Sequence, residues 1–398
     1  MEQYELRCAR AGLTQVIEPA DAIGTMATKT WGPRRLLEII KGSTPTQQEW
    51  TELTGYSIND AAFSSTLQKS LGPAISRWRR RRDYLKPEKA LAYITKLGGH
   101  FLIPEDHQWP TALADLPMTE PLGLWTLGDR AIPPLECAVS LVGSRESTSY
   151  GLAATEMLAT AARKLGVAVV SGGAYGIDAQ AHRKALDAAG SGLPTIAVLA
   201  GGLDRLYPAG NVELLREIAA SCVLISELPP GMRPNRYRFL NRNRLIAALS
   251  AATIVVEARY RSGALSTANH AHEIGRIVGA VPGPIDRPSS AGCHRLLKET
   301  PALLIDDPVD LEAVFRPLEA VTRSSSEPTE SRPYDFLDVE EMLVFEALPV
   351  KARTNIEQLC SITGLTVPRI TGILTKLVRH NLANLSDTGW RKSAVIGG

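Results

Sequence analysis

Three short stretches combine glycines with hydroxyl side chains at the point where an apolar run ends. They read GSREST (143–148), SGGAYGID (171–178) and RSGALSTAN (261–269). Glycine lets the backbone approach a ligand closely, and backbone N–H groups at a helix start bind anions together with Ser and Thr hydroxyls. The pattern predicts a phosphate site. One such loop alone is more often a simple turn, so the prediction depends on the three loops meeting.

Arginine is the other residue type that could bind phosphate here. Arg145 lies in the first loop, Arg205 lies in GGLDRLYP, and NRYRFLNRNR (235–244) interleaves four arginines with Tyr237 and Phe239. Basic side chains follow a phosphate backbone, and aromatic faces stack unpaired bases. The mixture favours a single nucleic-acid strand. The alternative is that these arginines pair with acids such as Asp204 or Glu257, or face solvent.

The elements that would position these loops form an alternating pattern from about residue 137. The apolar runs AVSLVG, VAVVSGG, TIAVLAGG, CVLISE, TIVVEA and IVGAVPG are separated by helical stretches, with helices expected from about Thr148 and Ile177. This alternation predicts an α/β fold with a doubly wound, mostly parallel sheet. In such a sheet, ligands bind outside the carboxyl ends of the strands where the strand order reverses. The three loops are therefore expected at one edge.

The chain is predicted to contain three folded parts. Residues 1–95 show helical stretches without a strand pattern and predict a small helical domain; residues 96–316 form the sheet domain, beginning with an extended lead-in. Residues 317–335, rich in Ser, Pro, Thr and Glu, predict a flexible linker. Residues 336–398 predict three helices and a short hairpin, the pattern of a winged helix.

The third helix of that last part has a cationic face. Its apolar stripe leaves Arg369, Lys376 and Arg379 beside one another toward solvent, as in a recognition helix. Duplex DNA and a protein partner both remain open for this face. A further run of arginines, SRWRRRRDYLK (76–86), spreads around a helix and is interpreted as a solvated face.

Composition excludes several classes of protein. The 398 residues are 44% hydrophobic and 22% charged, with a net charge of +2, and no apolar run approaches the roughly 20 residues of a membrane span. The amino terminus lacks the features of a secretory signal, so a cytoplasmic location without a membrane partner is expected. Five separated cysteines without a CxxC pair indicate neither disulfides nor a zinc site. GxGxxG and GxxxxGK[ST] are absent, so no cofactor is expected.

An ordered series of motifs then resembles a known family. GSRESTSYG, SGGAYGIDAQAHRKAL, TIAVLAGGLDRLYPAGN, ISELPPG, NRNRLIAALS, VVEARYRSGALSTANHAHEIGR and AVPGPI are similar to the DNA-processing protein A family, DprA or Smf, over roughly residues 100–306. The resemblance implies a Rossmann-like, non-enzymatic domain that binds single-stranded DNA cooperatively as a homodimer. It also implies loading of the recombinase RecA during natural transformation, a SAM-like amino-terminal domain and a winged helix.

The resemblance carries over to individual positions that contact single-stranded DNA in the family. They are Gly143, Ser144 and Arg145 in the first loop, Ser171, Gly172 and Gly173 in the second, Arg242, Asn243 and Arg244 in the RNR motif, and Ser262, Gly263 and Thr267 in the third loop. The chain departs from the family at Tyr175 and Ala209, where basic residues are common. Tyr175 and Arg205 are our own additions to the predicted site.

Two other functions fit parts of the pattern. A nucleoside-monophosphate phosphoribohydrolase of the lysine-decarboxylase-like family would also have SGG and a Gly-x-x-x-Thr stretch, although its PGGxGTxxE signature is absent. Glu273 would then be the catalytic carboxylate, near His270 and His272. Alternatively, the same DNA-binding chemistry could serve repair or defence. Cys293 and His294 are interpreted as a helix start and not as metal ligands.

Overall fold

The computed structural model describes residues 2–55, 61–315, 334, 336–386 and 389–393, with backbone alone for 54–55 and 61–68. The predicted linker, 317–335, lies outside these residues except for Tyr334, and so do Asp387 and Thr388 of the predicted hairpin turn. The chain divides into two compact units, Met1–Ala320 and Val321–Gly398. The amino-terminal helices thus group with the sheet, and the separate domain over residues 1–95 stays a prediction.

The amino-terminal part is helical, as predicted. Its helices are α1 (Glu2–Val16), α2 (Ala22–Trp31), α3 (Pro33–Lys41), α4 (Gln47–Gly55), α5 (Ala61–Arg79) and α6 (Pro87–Lys96). Leu13, Leu36, Ile40 and Trp78 are buried and belong to one apolar core that joins five of these helices, α1 to α5. The SAM-like assignment stays a prediction.

A nine-stranded, mostly parallel sheet follows among the described residues. Its strands are β1 (Gly99–Leu102), β2 (Leu124–Leu127), β3 (Ala138–Gly143), β4 (Ala168–Ser171), β5 (Thr195–Val198), β6 (Val223–Ser226), β7 (Ala252–Glu257), β8 (Ile277–Ala280) and β9 (Leu303–Leu304). The spatial order is β1-β2-β6-β5-β4-β3-β7-β8-β9. Each of the six predicted apolar runs supplies one strand, from β3 to β8, and the doubly wound sheet is confirmed.

The lead-in, predicted as an extended segment packed on the sheet, is itself part of the sheet. It contains β1 and β2, which pair antiparallel with each other, and β2 pairs antiparallel with β6. Leu124 and Trp125 on β2 are buried, and the Phe101 and Trp125 rings lie 4.3 Å apart between centroids. The lead-in therefore extends the sheet at one edge.

Helices connect the parallel strands. They are α7 (Ser149–Lys164), α8 (Ile177–Asp187), α9 (Val212–Ser221), α10 (Arg236–Ala248), α11 (Gly263–Glu273), α12 (Ala291–Glu299) and α13 (Pro308–Phe315). Thr148 caps α7, and α8 begins at Ile177, as the sequence predicts. Because β4 and β7 flank β3 on opposite sides, the strand order reverses at β3. This reversal opens the crevice in which doubly wound sheets bind ligands.

The carboxy-terminal unit has the predicted order of elements. Helices α14 (Val339–Ala347), α15 (Ile356–Thr363) and α16 (Val367–Arg379) precede the antiparallel pair β10 (Ala383–Ser386) and β11 (Gly389–Lys392). The predicted apolar stripe of α16 is buried in the core of this unit: Ile370, Ile373, Leu374 and Leu377. The winged-helix assignment itself stays a prediction. Among the described residues, no helix is long and apolar enough to cross a membrane.

Candidate nucleic-acid interface

Two adjoining clefts lie at the carboxyl edge of the sheet, where the strand order reverses. The larger has a volume of about 750 Å³ and lies between the first loop, the third loop and α10; the smaller, of about 110 Å³, lies between the second loop and the loop after β5. Arg145, Ala174 and Phe239 line both clefts. The three glycine-containing loops therefore meet.

Close backbone packing holds the first loop against the second. The Ile177 N–H donates to the Ser144 carbonyl at 3.1 Å, and the Ser144 N–H donates to the Glu257 carbonyl at 2.7 Å. Gly176 has a φ of 75°, and a Cβ there would lie 2.2 Å from the Ser144 carbonyl oxygen. Only glycine permits this approach, so the spacing of the SGGAYGID stretch fixes the shape of the GSREST loop.

The start of α7 is not an open anion site, contrary to expectation. The Glu257 carboxylate accepts hydrogen bonds from the Thr148 N–H at 3.0 Å and from the Thr148 hydroxyl at 2.9 Å. Gly151 allows this, because a Cβ there would lie 2.5 Å from a carboxylate oxygen. An internal carboxylate thus occupies the position at which a phosphate would bind the positive end of this helix.

The start of α11 faces the larger cleft instead. Ser262 caps this helix through the Ala264 N–H at 3.3 Å, and no other atom lies within 4 Å of where a Cβ on Gly263 would be. The Asn243 side chain donates to the Gly263 carbonyl at 3.2 Å, which ties the helix start to α10. Of the predicted helix starts, this one keeps open space at its first turn.

Arg145 is the central cation of the interface. It is exposed, and its guanidinium lies 4.9 Å from the centroid of the Phe239 ring. Among the described residues no carboxylate lies within ion-pair distance of it. The Arg242 guanidinium also lies 5.9 Å from the Phe239 ring centroid, and the Tyr207 and Phe239 ring centroids are 5.9 Å apart. An arginine held by an aromatic face, with its N–H groups free, suits a phosphate.

Arg242 is buried beneath these loops. Its guanidinium donates to the Gly172 carbonyl at 2.7 Å and to the Val198 carbonyl, joining the ends of β4 and β5 to α10. Burial lowers the pKa of Arg242 to about 10, with the nearby Asp178 opposing the change. Burial likewise raises the pKa of Asp178, although Arg242 and Arg145 oppose this. Arg242 therefore supports the floor of the cleft and keeps its positive charge at neutral pH.

The larger cleft is cationic. Its lining includes five arginines and two acids: Arg145, Arg236, Arg242, Arg259 and Arg261, with Glu146 and Asp178. Arg259 pairs with Glu146 at 2.8 Å, whereas Arg236 and Arg261 are exposed. Arg259 and Arg261 were missed as site residues. Their signal was the stretch ARYRSG, in which Arg261 begins the third loop and Arg259 lies two residues before it.

Most of the predicted residues line the clefts. Gly143, Ser144, Arg145, Arg242, Asn243, Ser262, Gly263 and Thr267 line the larger one, and Gly172, Tyr175 and Arg205 line the smaller one. Ser171 and Gly173 do not. The Ser171 hydroxyl is buried and donates to the Leu141 carbonyl at 2.7 Å, and Gly173 forms the turn with a φ of 66°. Ser171 and Gly173 therefore shape the second loop without lining a cleft.

Arg244 also lies away from the clefts. Its side chain is 3% exposed and pairs with the buried Glu227 at 2.5 Å. Burial raises the pKa of Glu227, and the Arg244 charge and hydrogen bond oppose this. The outer two members of the RNR motif therefore both point into the protein, one beneath the loops and one toward β6.

The remaining candidates are placed as follows. On α16, Arg369 pairs with Glu340 at 2.5 Å and Lys376 pairs with Glu341 at 2.6 Å, so acids of α14 partly neutralise this face; Arg379 is exposed. The Cys293 thiol is buried, and burial raises its pKa to about 12. Within the described part of the chain, no group of three His, Cys, Asp or Glu side chains could hold a metal ion.

Comparison with known proteins agrees with this architecture. The family model for DNA recombination-mediator protein A matches residues 100–315. A protein of Mycobacterium tuberculosis H37Rv, named as a DNA processing protein DprA, is 38% identical over 375 residues, covering 87% of this chain and 94% of the relative. The X-ray structure of DprA from Streptococcus pneumoniae matches with a TM-score of 0.57 and 28% identity, covering 77% of this chain and 96% of that one.

A further match is DNA processing protein A from Helicobacter pylori, whose structure is described in terms of its single-stranded DNA binding mode. It is 30% identical, with a TM-score of 0.48, and covers 53% of this chain and 93% of that one. The family model alone spans more than half of the sequence, and the M. tuberculosis relative aligns over nearly its whole length. This chain belongs to the DNA recombination-mediator protein A family, whose members are named DprA or Smf.

Proposed function

We propose that this chain binds single-stranded DNA along the carboxyl edge of its sheet and loads the recombinase RecA onto that strand. The observation that carries the proposal is the position of Arg145. It is exposed, lies 4.9 Å over the Phe239 ring and joins the two clefts. Phosphates would contact Arg145, Arg236 and Arg261, and unpaired bases would stack on neighbouring aromatic rings.

The mixture of charge and aromatic surface favours a single strand over a duplex. Tyr175, Tyr207 and Tyr237 expose their rings beside the arginines. In a duplex the base faces are stacked on one another, so these rings would add nothing to the binding of paired DNA. The arginines alone would bind both forms through phosphate.

The placement of Glu273 argues against a phosphoribohydrolase. Glu273 ends α11, ten residues beyond Gly263, which puts it about 15 Å along the helix from the cleft. It is exposed and pairs with His270 at 3.3 Å. A catalytic carboxylate must reach the bond that breaks, and this one lies at the other end of its helix.

Salt-dependent binding tests the proposal. A fluorescent oligo-dT is titrated with the wild type, Arg145→Ala and Arg130→Ala, with duplex as competitor. Arg130 is an exposed arginine that lies outside both clefts and serves as the control. We expect preference for the single strand, and a log K that falls with log salt by about 0.7 per phosphate neutralised. Arg145→Ala should bind about tenfold more weakly with a slope shallower by about 0.7.

Each result has a separate meaning. Equal affinity of the wild type for single strand and duplex would sink the proposal. Weaker binding by Arg145→Ala at an unchanged slope would mean that Arg145 shapes the loop without contacting phosphate. RecA loading is tested next, by whether the wild type shortens the lag of RecA assembly on strands coated with a single-strand-binding protein. No effect on that lag would contradict the mediator role and leave DNA binding intact.

Assembly and biological setting extend the same proposal. We infer from family membership a homodimer in the cytoplasm, with natural transformation as the process served. A strand of internalised DNA is the substrate that the arginine-rich edge suits, although repair and defence would use the same chemistry. Deleting the gene and scoring transformation against survival after DNA damage separates these roles. Because Arg369 and Lys376 on α16 pair with acids, the proposal does not include DNA binding by the carboxy-terminal unit.

A further inference from the structure

Every tyrosine between residues 99 and 315 exposes its ring near the same edge of the sheet. One tyrosine follows each of the parallel strands β3 to β7, and their exposures lie between 44% and 56%: Tyr150, Tyr175, Tyr207, Tyr237 and Tyr260. A half-exposed tyrosine is ordinary when taken singly, because the ring is amphipathic. A tyrosine after each of five successive strands is not required for folding, since none of these rings fills the core.

Tyr260 is the member of this row on the far side of the strand-order reversal. In spatial order the tyrosines follow β6, β5, β4, β3 and β7, so Tyr260 lies across β3 from Tyr175 and Tyr207. With strands about 4.8 Å apart, β5 and β7 are separated by roughly 15 Å. Tyr260 lies outside the lining of both clefts, although its neighbours Arg259 and Arg261 line the larger one.

The turn that carries Tyr260 is held in place. The Ser262 N–H donates to the Arg259 carbonyl at 3.0 Å, which places Tyr260 and Arg261 at the tip of a β-turn. The Gly292 N–H at the start of α12 donates to the Ala258 carbonyl at 2.7 Å. A Cβ on Gly292 would lie 2.7 Å from that oxygen, so the helix packs directly on the base of the turn.

Arg295 supports the ring from one side. Its guanidinium lies 4.7 Å from the centroid of the Tyr260 ring, and it also donates to the Tyr260 carbonyl at 3.2 Å. Arg295 belongs to α12, so the same helix fixes both the turn and the ring. A ring positioned in advance, with 56% of the residue still exposed, loses little conformational entropy when a flat partner stacks on it.

We propose that Tyr260 is a base-stacking subsite for single-stranded DNA, which extends the path of the strand beyond the larger cleft and across β7. The inference rests on the proposed function. Arg261 binds the phosphate beside the stacked base, and Arg295 holds the ring in place. A strand long enough to cross β3 reaches Tyr260, and a strand that only fills the clefts does not.

A length series of oligo-dT tests this subsite. Affinities are measured from four to twenty nucleotides for the wild type, Tyr260→Ala, Tyr260→Phe and the control Tyr84→Ala. Tyr84 is exposed in the amino-terminal helical part and lies outside the lining of both clefts. We expect Tyr260→Ala to lose at least about fivefold in affinity for the longest strands and none for the shortest. Tyr260→Phe should bind as the wild type does, because stacking needs only the ring.

The salt dependence completes the test. Tyr260 carries no charge, so the slope of log K against log salt should be the same for Tyr260→Ala and the wild type. Equal affinities of Tyr260→Ala and the wild type at every length would overturn the subsite, and so would a shallower slope, which would mean that the arginines had moved. If the proposed function itself were wrong, the wild type would show no preference for single strands over duplex, whatever the Tyr260 variants show.

Discussion

The Glu18 carboxylate lies 2.9 Å from the Arg238 guanidinium and so joins the end of α1 to α10. It also pairs with Arg81, beyond α5, at 2.8 Å. Asn241 adds a hydrogen bond from α10 to the Pro19 carbonyl at 2.9 Å. The helix that carries Phe239 and Arg242 is therefore held from outside the sheet by the amino-terminal helices.

We expect Glu18→Gln to weaken single-stranded DNA binding three- to tenfold. Burial acts to raise the pKa of Glu18, but Arg238 and Arg81 lower it overall, so the group is charged at neutral pH. Removing a negative charge near a cationic cleft would by itself strengthen DNA binding. Weaker binding by Glu18→Gln would therefore indicate that α10 has been displaced. Fluorescence anisotropy with oligo-dT measures this. The control is Glu213→Gln, which breaks a surface pair with Arg216; unchanged or tighter binding by Glu18→Gln would refute the role.

Gly172→Ala should destabilise the protein by about 1–3 kcal/mol. A Cβ at Gly172 would lie 2.5 Å from an Arg242 guanidinium nitrogen, and Arg242 cannot move away without losing two buried carbonyl partners. Urea unfolding gives the free energy. Gly263→Ala is the matched control, because open space surrounds that position and its unfolding free energy should change by less than about 0.5 kcal/mol. Equal stability of the two variants would contradict this view of Arg242.

Arg244→Ala should act on stability and not on DNA contact. Removing one partner of a buried pair leaves the Glu227 carboxyl without its counter-charge, at a cost of about 3–5 kcal/mol. The double variant Arg244→Met with Glu227→Leu removes both charges and should recover most of the unfolding free energy. Its affinity for oligo-dT should equal that of the wild type. A stable double variant that binds the strand poorly would mean that Arg244 does take part in DNA binding.

His182 should make the protein less stable in mild acid. Burial, together with the charges of Arg242 and Arg183, lowers its pKa to about 3. The unfolded chain, with a histidine pKa of about 6.5, binds a proton in this range that the folded chain does not, so stability falls as the pH drops from 6.5 toward 3. The loss reaches about 2 kcal/mol by pH 5.

The variant His182→Gln isolates this contribution. Between pH 6.5 and 5, its unfolding free energy should fall less steeply with decreasing pH than that of the wild type. The difference between the two slopes should correspond to at most one bound proton. Chemical unfolding at several pH values measures both slopes. The ring Nδ1 lies 2.6 Å from the Thr195 hydroxyl, which in turn donates to the Val169 carbonyl. Parallel slopes would mean that His182 takes up its proton in the folded state.

The parallel strands β3 to β8 could be predicted because each is a continuous apolar run ending in glycine or a turn, whereas the two-residue parallel strand β9 could not. The edge strands β1 and β2 could not, since each has four residues in a proline-rich stretch and is stabilised by pairing with distant residues. The meeting of the three loops also followed from the pattern. It required only that parallel strands end at one edge.

The partners of individual side chains were beyond sequence reasoning. NRNR looks like one cationic cluster, yet the fold directs Arg242 to the carbonyls after β4 and β5 and Arg244 to Glu227. Thr148 looks like an open helix start, yet its partner Glu257 is 109 residues away. Only the three-dimensional packing decides which of two similar polar groups faces the ligand.

The position of Glu257 affects which phosphate ligands this edge of the sheet can bind. In doubly wound folds that use dinucleotides, the first helix after the first strand binds the pyrophosphate. Here that helix is α7, and its start already holds a carboxylate fixed by β7. A nucleotide phosphate would therefore meet a like charge at the position where it would bind. The open start of α11 is then the helix terminus at which the proposed strand would place a phosphate.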